Sequence, residues 1–302
     1  MELGLALLER IEGDTVLSPY SLQRALDLVR NGATGRTLEA LDAMLGEPAP
    51  DVPDAIHAQA AWLGDGYEPG PALQGLQTGP LDADLVNAWV KKATREMIPR
   101  LVDRFYGDEI LALTDAIYLD AKWAHPFTGT NQKPFDGVGD VPMMYVNGRF
   151  DHTGTAVRLP YTNDLRFVAE LGTTLNLDTS FSHDHGHVEL PRFSTTATHE
   201  LEEPLKQLGL APAFEPGLDL ENLVHGPGKK ALSRVLQRAR VDVDEAGTRA
   251  AAATAVTMQR TSAPLDPFHI VFDRPFTWAI EHAPTGTLLF VGRVLNPTER
   301  SD

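Results

Sequence analysis

Six consecutive residues near the middle of the chain, Ser182-His183-Asp184-His185-Gly186-His187, hold four side chains of metal-ligand type. Imidazole nitrogens and carboxylate oxygens are donors that zinc accepts. In an extended strand alternate residues share a face, so His183, His185 and His187 would line one side. Gly186 interrupts such a strand, and no second ligand cluster accompanies them. The preferred reading is a polar turn leading into the strand "HVELPRF", with a metal-dependent enzyme as the alternative. No metal and no other cofactor is expected. Other chemistry is poorly represented. No Gly-x-Ser-x-Gly elbow is present, and serines and histidines are scattered without a marker of activation. "GATGRT" lacks the lysine and the strand–loop–helix setting of a phosphate loop. Glu202-Glu203 fits a solvated helix start, where acidic side chains favour the dipole.

The elements that would position these residues fall into two halves. In "LSPYSLQRALDLVR", Ser18 is a helix N-cap and Pro19 the first helical residue. Leu22, Ala25, Leu26 and Val29 form its apolar stripe, and Asn31-Gly32 ends it. "TLEALDAMLG" is a second helix, closed by Gly46. "AIHAQAAWLG" suits a strand or a short helix, and "GDGYEPGPALQGLQTGP" reads mostly as loop. "DADLVNAWVKKATREMIPRLVD" predicts the strongest helix, with Leu85, Ala88, Trp89, Ala93, Met97 and Leu101 on one face. From about residue 110 the period shortens. "EILALTDAIYLDAKW", "VPMMYVNGRFDH", "TAVRLPYTNDLRFVAEL", "RARVDVDE", "PFHIVFDRPFTWAIEH" and "GTLLFVGRVLNP" predict strands, with turns at Asn147-Gly148 and Thr162-Asn163-Asp164. Helices first and strands later imply an α+β fold.

The chain has 302 residues and a formal net charge of -16. A field of that sign disfavours nucleic acid, polyanions and anionic membranes as partners. No window of about eighteen apolar residues suggests a membrane-spanning helix. There are no cysteines, so disulfides and thiolate chemistry are excluded. The opening "MELGLALLERIEGD" reads as an amphipathic helix, not a signal peptide, and the compartment is unassigned.

One stretch fits no ordinary element. "EAGTRAAAATAV", Glu245–Val256, is too small to build a core and too apolar for a solvated loop. It lies in a long connection between two strands, and such connections are usually functional or disordered. With Thr248 inward, Ala250, Ala252, Thr254, Val256 and Met258 share its side, while Arg249, Ala251, Ala253, Ala255, Thr257 and Gln259 face out. The inward set is small or apolar, as an extra strand entering the middle of a sheet would require.

"VLSPYSLQRALDLVRNGATGRTLEAL", "LVNAWVKKATREMIPRLV", "DAIYLDAKWAHPF", "VPMM", "LPYTNDLRFVAEL", "VELPRF" and "FDRPFTWAIEHAPTGTLLFVGRVLNP" occur in that order. Together with "DEAGTRAAAATAV", they make nearly the whole chain resemble the serpin family. The resemblance implies one domain over 1–302, with three β-sheets, surrounding helices and an exposed reactive-centre loop at about 245–266. It implies a monomeric suicide-substrate inhibitor of serine proteases rather than an enzyme. A target protease would cut the loop and be trapped as a covalent acyl complex while the loop inserts into the main sheet. The alternative is a non-inhibitory binding or chaperone protein of the same fold.

The resemblance also implies site residues. Glu245, Gly247 and Thr248 match the hinge, and Ala250, Ala251, Ala252, Ala253 and Thr254 its inserting run. Arg192 stands where a base pairs with the hinge glutamate. Ser18 and Ser21 match serines beneath the sheet opening, and Trp123 and Phe127 the aromatic pair on the third sheet strand. Family spacing from Glu245 places the reactive bond at Thr261-Ser262. The chemistry of an acidic primary pocket favours Arg260-Thr261 as the alternative. Two departures stand at the opening: Asp115 replaces a usual Asn, and Gln237 a common buried His. A buried Asp115 needs donors, which the serines and Gln237 are expected to supply. Arg249 replaces an acidic residue on the outer face. The helix that binds polyanion cofactors in some members is replaced by "EPAPDVPD", so cofactor activation is not expected.

Overall fold

A computed structural model describes residues 2–53, 56–119, 121–217, 219–248 and 267–298. Its helices are α1 (Glu2–Leu8), α2 (Pro19–Gly32), α3 (Gly35–Leu45), α4 (Ala83–Ala93), α5 (Glu202–Leu205) and α6 (Ala211–Phe214), the last two joined through a π turn. The strands in the first half are β1 (Thr15–Leu17), β2 (Ile56–Leu63), β3 (Glu68–Pro69), β4 (Gln77–Pro80), β5 (Leu111–Tyr118), β6 (Ala121–Lys122), β7 (Gly129–Phe135), β8 (Gly139–His152) and β9 (Ala156–Pro160). Those in the second half are β10 (Leu165–Leu171), β11 (Ser182–Pro191), β12 (Phe193–Glu200), β13 (Val224–His225), β14 (Arg234–Val243), β15 (Gly247–Thr248), β16 (Phe268–Val271), β17 (Phe276–His282) and β18 (Thr287–Val294).

These strands form three sheets. One is nine-stranded, β1-β18-β17-β10-β9-β8-β11-β16 with β7 on β8. A second is seven-stranded, β4-β2-β5-β14-β15-β6 with β12 on β14, and a third pairs β13 with β3. The α+β expectation and the three sheets are therefore both present.

Ser18 caps α2 as its sequence implies: its hydroxyl accepts from the Ser21 N–H at 3.2 Å, and Pro19 opens the helix. The buried stripe of Leu22, Ala25, Leu26 and Val29 seats α2 against β5 and β18, between the two large sheets. A core that includes Tyr20, Ile117, Phe167, Val241 and Trp278 fills the space between those sheets. From Arg238 onward β14 alternates, with Ala239, Val241 and Val243 buried toward that core and Arg240 exposed, whereas Val235, Leu236 and Gln237 are all buried.

Three local expectations are corrected. The helix expected over 82–103 stops at Ala93, because Arg95 and Glu96 take positive φ. Its buried face is Val86 and Val90, continued by Ile98, packed on Trp62, Ala112 and Leu236 of the seven-stranded sheet; Leu85 is 50% exposed. Of the expected stripe, Leu101 is in this cluster and Trp89 and Met97 pack against it, whereas Leu85 and Ala88 are exposed. The residues 182–187 are not a turn but the first half of β11, paired antiparallel with β8 from Ser182↔His152 onward. Gly186 does not break it. A Cβ there would lie 2.3 Å from the Phe268 ring, so glycine lets β16 close onto β11. The residues 77–80, expected in a loop, form β4 beside β2. Residues 46–53, which include most of "EPAPDVPD", carry no helix.

Candidate functional site: the hinge and the sheet opening

Two strands of the seven-stranded sheet set the geometry. β14 and β5 run parallel and pair directly over Arg234↔Ala112 to Gln237↔Asp115, with no strand between them at that level. Above Gln237 and Asp115 this pairing ends. At the top, β15 takes the place between them, antiparallel to β14 at Val243↔Thr248 and antiparallel to β6 at Gly247↔Lys122 and Thr248↔Ala121. The sheet is zipped at its base and wedged at its top.

The wedge is held by a tight turn at residues 244–246. The Asp244 carboxylate accepts from the Ala246 N–H at 2.8 Å and the Gly247 N–H at 3.2 Å, a local turn bond that Asp makes readily. Trp123 clamps the same turn. Its indole N–H donates to the Asp244 carbonyl at 2.8 Å and its backbone N–H to the Ala246 carbonyl at 3.0 Å. The Phe127 N–H donates to the Glu245 carbonyl at 3.0 Å. Trp123 meets Phe127 edge-on, with ring centres 5.8 Å apart, and stacks on Tyr161 at 4.5 Å. Gly247 has no room for a side chain: a Cβ would lie 2.1 Å from the Ala121 carbonyl oxygen.

Glu245 and Arg192 form the expected pair, Nη2 to Oε1 at 2.5 Å, and the Thr130 hydroxyl donates to the same oxygen. Burial alone would raise the Glu245 carboxyl. The hydrogen bonds from Arg192 and Thr130 outweigh it and hold the group below its usual range. Thr248 is 1% exposed and shares a 2.6 Å hydrogen bond with the Tyr161 hydroxyl. It was expected as the first residue of a strand still outside the sheet; with Gly247 it already occupies the gap. Ala250, Ala251, Ala252, Ala253, Thr254, Arg260, Thr261 and Ser262 lie outside the described residues, as does Arg249.

The base of the opening is a buried polar network. Asp115, 4% exposed, accepts from the Ser21 hydroxyl and from Gln59 Nε2 at 2.8 Å. Burial pushes its carboxyl up to about 7, against the pull of those hydrogen bonds and the Arg24 charge. Gln237 was expected as one of its donors but bonds elsewhere. Its amide accepts from the Ser18 N–H at 2.7 Å and donates to the Ser18 carbonyl at 2.9 Å. The Ser18 hydroxyl donates to the Leu289 carbonyl at 2.6 Å, tying α2 to β18. The network pins β5 and β14 separately to α2, so parting the strands need not break it.

Ser18, Ser21, Asp115, Trp123, Arg192, Gln237, Glu245, Gly247 and Thr248 are thus gathered along one seam. Four contributors were not singled out from sequence: Gln59, Thr130, Tyr161 and Asp244. Asp244 was within reach, because an Asp three residues before a Gly is a turn signal. The others arrive from distant strands. The three histidines do not converge. The His183 Nδ1 meets Asp151 at 2.7 Å, and only His187 belongs to a group with metal-like spacing.

A family model described as serpin (serine protease inhibitor) matches residues 65–297. The chain is 29% identical to Serpin-Z2B of Oryza sativa subsp. japonica, covering 94% of this chain and 92% of that protein. It is 32% identical to plasminogen activator inhibitor 1 of Neovison vison over 70% of this chain, a match that spans 61% of that relative. The solved structure of Serpin48 from the insect Tenebrio molitor superposes with a TM-score of 0.84 at 24% identity, covering 97% of this chain and 95% of that one.

Proposed function

This chain belongs to the serpin family, and from that premise we propose that it is a suicide-substrate inhibitor of serine proteases. The observation that carries the reading is the register of the seam. Continued along β14 from Val243↔Thr248, an inserting strand sets Ala250 opposite Val241, Ala252 opposite Ala239 and Thr254 opposite Gln237. Continued along β6 and β5 from Thr248↔Ala121, it sets Thr254 opposite Asp115. Gln237 and Asp115 are each other's partners now. The two registers close on the same pair without a bulge, which supports a seam that opens to admit residues following Thr248.

The alternation agrees with the register. Ala239, Val241 and Val243 are buried, so the same parity turns Ala250, Ala252 and Thr254 inward on insertion. Small side chains there meet no steric barrier, and the inserted strand gains ladder hydrogen bonds on both sides, successive residues bonding opposite neighbours. A protease serine attacks the carbonyl of the residue before the cut. The ester forms, and the following residue leaves as a new amino terminus. Insertion then competes with hydrolysis of that ester. The chain is consumed and acts as no catalyst.

Incubation with trypsin-, elastase- and subtilisin-like proteases, followed by denaturing electrophoresis, tests this. The expected result is a covalent complex with at least one of them. Loop cleavage without complex by all three counts for a non-inhibitory member of the fold and overturns the proposal. Mass spectrometry of the released C-terminal peptide separates Thr261-Ser262 from Arg260-Thr261.

A further inference from the structure

At the free end of the nine-stranded sheet, β7, β8, β11 and β16 lie side by side. β16 is the end strand, four residues long, and its sheet partner is β11. His187 and His269 stand opposite each other in that parallel pair, and Glu189 is two residues along β11 on the same face. Nε2 of His187 lies 3.0 Å from Glu189 Oε1, and Nε2 of His269 lies 3.5 Å from the same oxygen. The two imidazole rings meet edge-on at 4.9 Å. One donor atom from each of the three residues falls within 4.8 Å of the others. A tetrahedral zinc with bonds of about 2.1 Å spaces its ligands roughly 3.4 Å apart. The two nitrogen-to-carboxylate separations, 3.0 and 3.5 Å, bracket that spacing, and the two imidazole donors lie within 4.8 Å of each other.

The surroundings are those of a ligand set. The Nδ1 of His187 is 2.9 Å from Asn147 Oδ1, so its N–H is donated there and Nε2 turns a lone pair toward Glu189. A lone pair facing a carboxylate oxygen at 3.0 Å is favourable only with a positive particle between them, either a proton or a metal ion. An outer hydrogen bond that fixes the ring and tautomer is the usual companion of a metal-bound histidine. The Glu189 side chain is only 4% exposed, whereas His187 is 29% and His269 58% exposed. The carboxylate is the floor of the site, and its mouth is open for an ion and a water. Lys133 Nζ contacts Oε2 at 2.6 Å and Oε1 at 2.7 Å, and at 41% exposure it has solvent to move into.

We propose that His187, Glu189 and His269 form a site for a divalent transition-metal ion of the zinc type, with water as fourth ligand. Two imidazoles and one carboxylate suit zinc, cobalt or nickel and disfavour magnesium and calcium. The bound ion cross-links β11 to β16 at the sheet's free edge. Detaching β16 then requires breaking a metal bond as well as its short ladder. The site is independent of protease inhibition.

The test is titration of the purified full chain with zinc chloride by calorimetry, paired with melts in zinc or EDTA. Wild type is expected to bind one ion saturably and to melt higher with zinc. Its cobalt complex should show the visible bands of a four-coordinate ion. His269→Ala and His187→Ala are each expected to weaken binding by more than about tenfold and to abolish the zinc-induced shift. His183→Ala, outside the triplet, should leave both unchanged. Lys133→Met should tighten binding, because it removes the competing ammonium. The proposal is overturned if wild type shows no saturable one-to-one binding, or if both His187→Ala and His269→Ala bind zinc as tightly as wild type does.

Discussion

Asp115 places a proton-binding carboxyl at the seam. Burial raises it to about 7 from 3.8, and the Ser21 and Gln59 hydrogen bonds and the Arg24 charge only partly offset that. The folded state therefore binds this proton more tightly than the unfolded chain. Its contribution to stability is complete below about pH 4 and is lost as pH rises through about 7. Three pKa units at 1.36 kcal/mol each amount to about 4 kcal/mol between those limits. Asp115→Asn removes the titration and keeps the shape, with Gln59 turning its amide over to accept. Melts of both proteins from pH 4 to 8.5 should show the variant gaining on wild type as pH rises. A difference in melting temperature that is constant across that range would refute the assignment. The sequence makes Asp115 conspicuous through its resemblance to a motif with Asn at that place. It does not reveal the donors, because Gln59 belongs to a strand more than fifty residues away and Gln237 has both amide atoms engaged by Ser18.

At the scale of elements, β15 joins the hinge to the sheet. Thr248 lies between Val243 and Ala121, its hydroxyl on Tyr161, in a space lined by the Trp123–Tyr161 stack. A guanidinium placed there is desolvated without a carboxylate partner, at a cost of several kcal/mol. Thr248→Arg is therefore expected to leave β15 out of the sheet and slow insertion. In the protease assay the covalent complex should give way to cleaved, released inhibitor. Complex yield equal to wild type would exclude insertion through this gap. Gly247→Ala tests the same element sterically. Its Cβ would meet the Ala121 carbonyl and the Lys122 Cα, which are backbone atoms with no rotamer to adopt. Amide hydrogen exchange should quicken at Trp123 and Phe127, whose N–H groups are bonded to the turn. Unchanged exchange would mean that β15 tolerates the methyl group. The alternation of "RARVDVDE" made β14 and the inward parity of the hinge legible, because one buried face leaves a period of two. The face of α4 was misread because Leu85 and Val86 are adjacent apolar residues, and only the packing against Trp62 and Ala112 decides which is core. The run of histidines looked like a turn because polarity is expected of turns. It is a strand because β8 supplies a partner for every residue of β11.

For the whole molecule, the decisive feature is that residues 249–266 join two sheets. They leave the seven-stranded sheet at Thr248 and return to the nine-stranded sheet at Phe268, on its end strand. On the proposed mechanism, insertion below Thr248 in the intact chain would pull on β16, which is paired to β11. The lower seam stays closed, with β5 paired to β14 over four residues on each strand. A cut beyond Thr254 removes the tether and leaves the present pairings of both sheets intact. The freed segment can then exchange the short β5–β14 ladder for two longer ladders, one on each side. On that mechanism the uncut fold is held by a barrier, and its melting temperature should depend on scan rate. Limited digestion by a subtilisin-like protease should leave two fragments that remain associated. Their melting temperature should exceed that of the intact chain by on the order of 10 °C or more. Thr248→Arg, cut at the same bond, should gain less. Calorimetry of intact and cleaved protein, with the cut mapped by mass, measures both. Equal melting temperatures before and after cleavage would mean that the seam does not open, and would remove the energetic basis for trapping a protease.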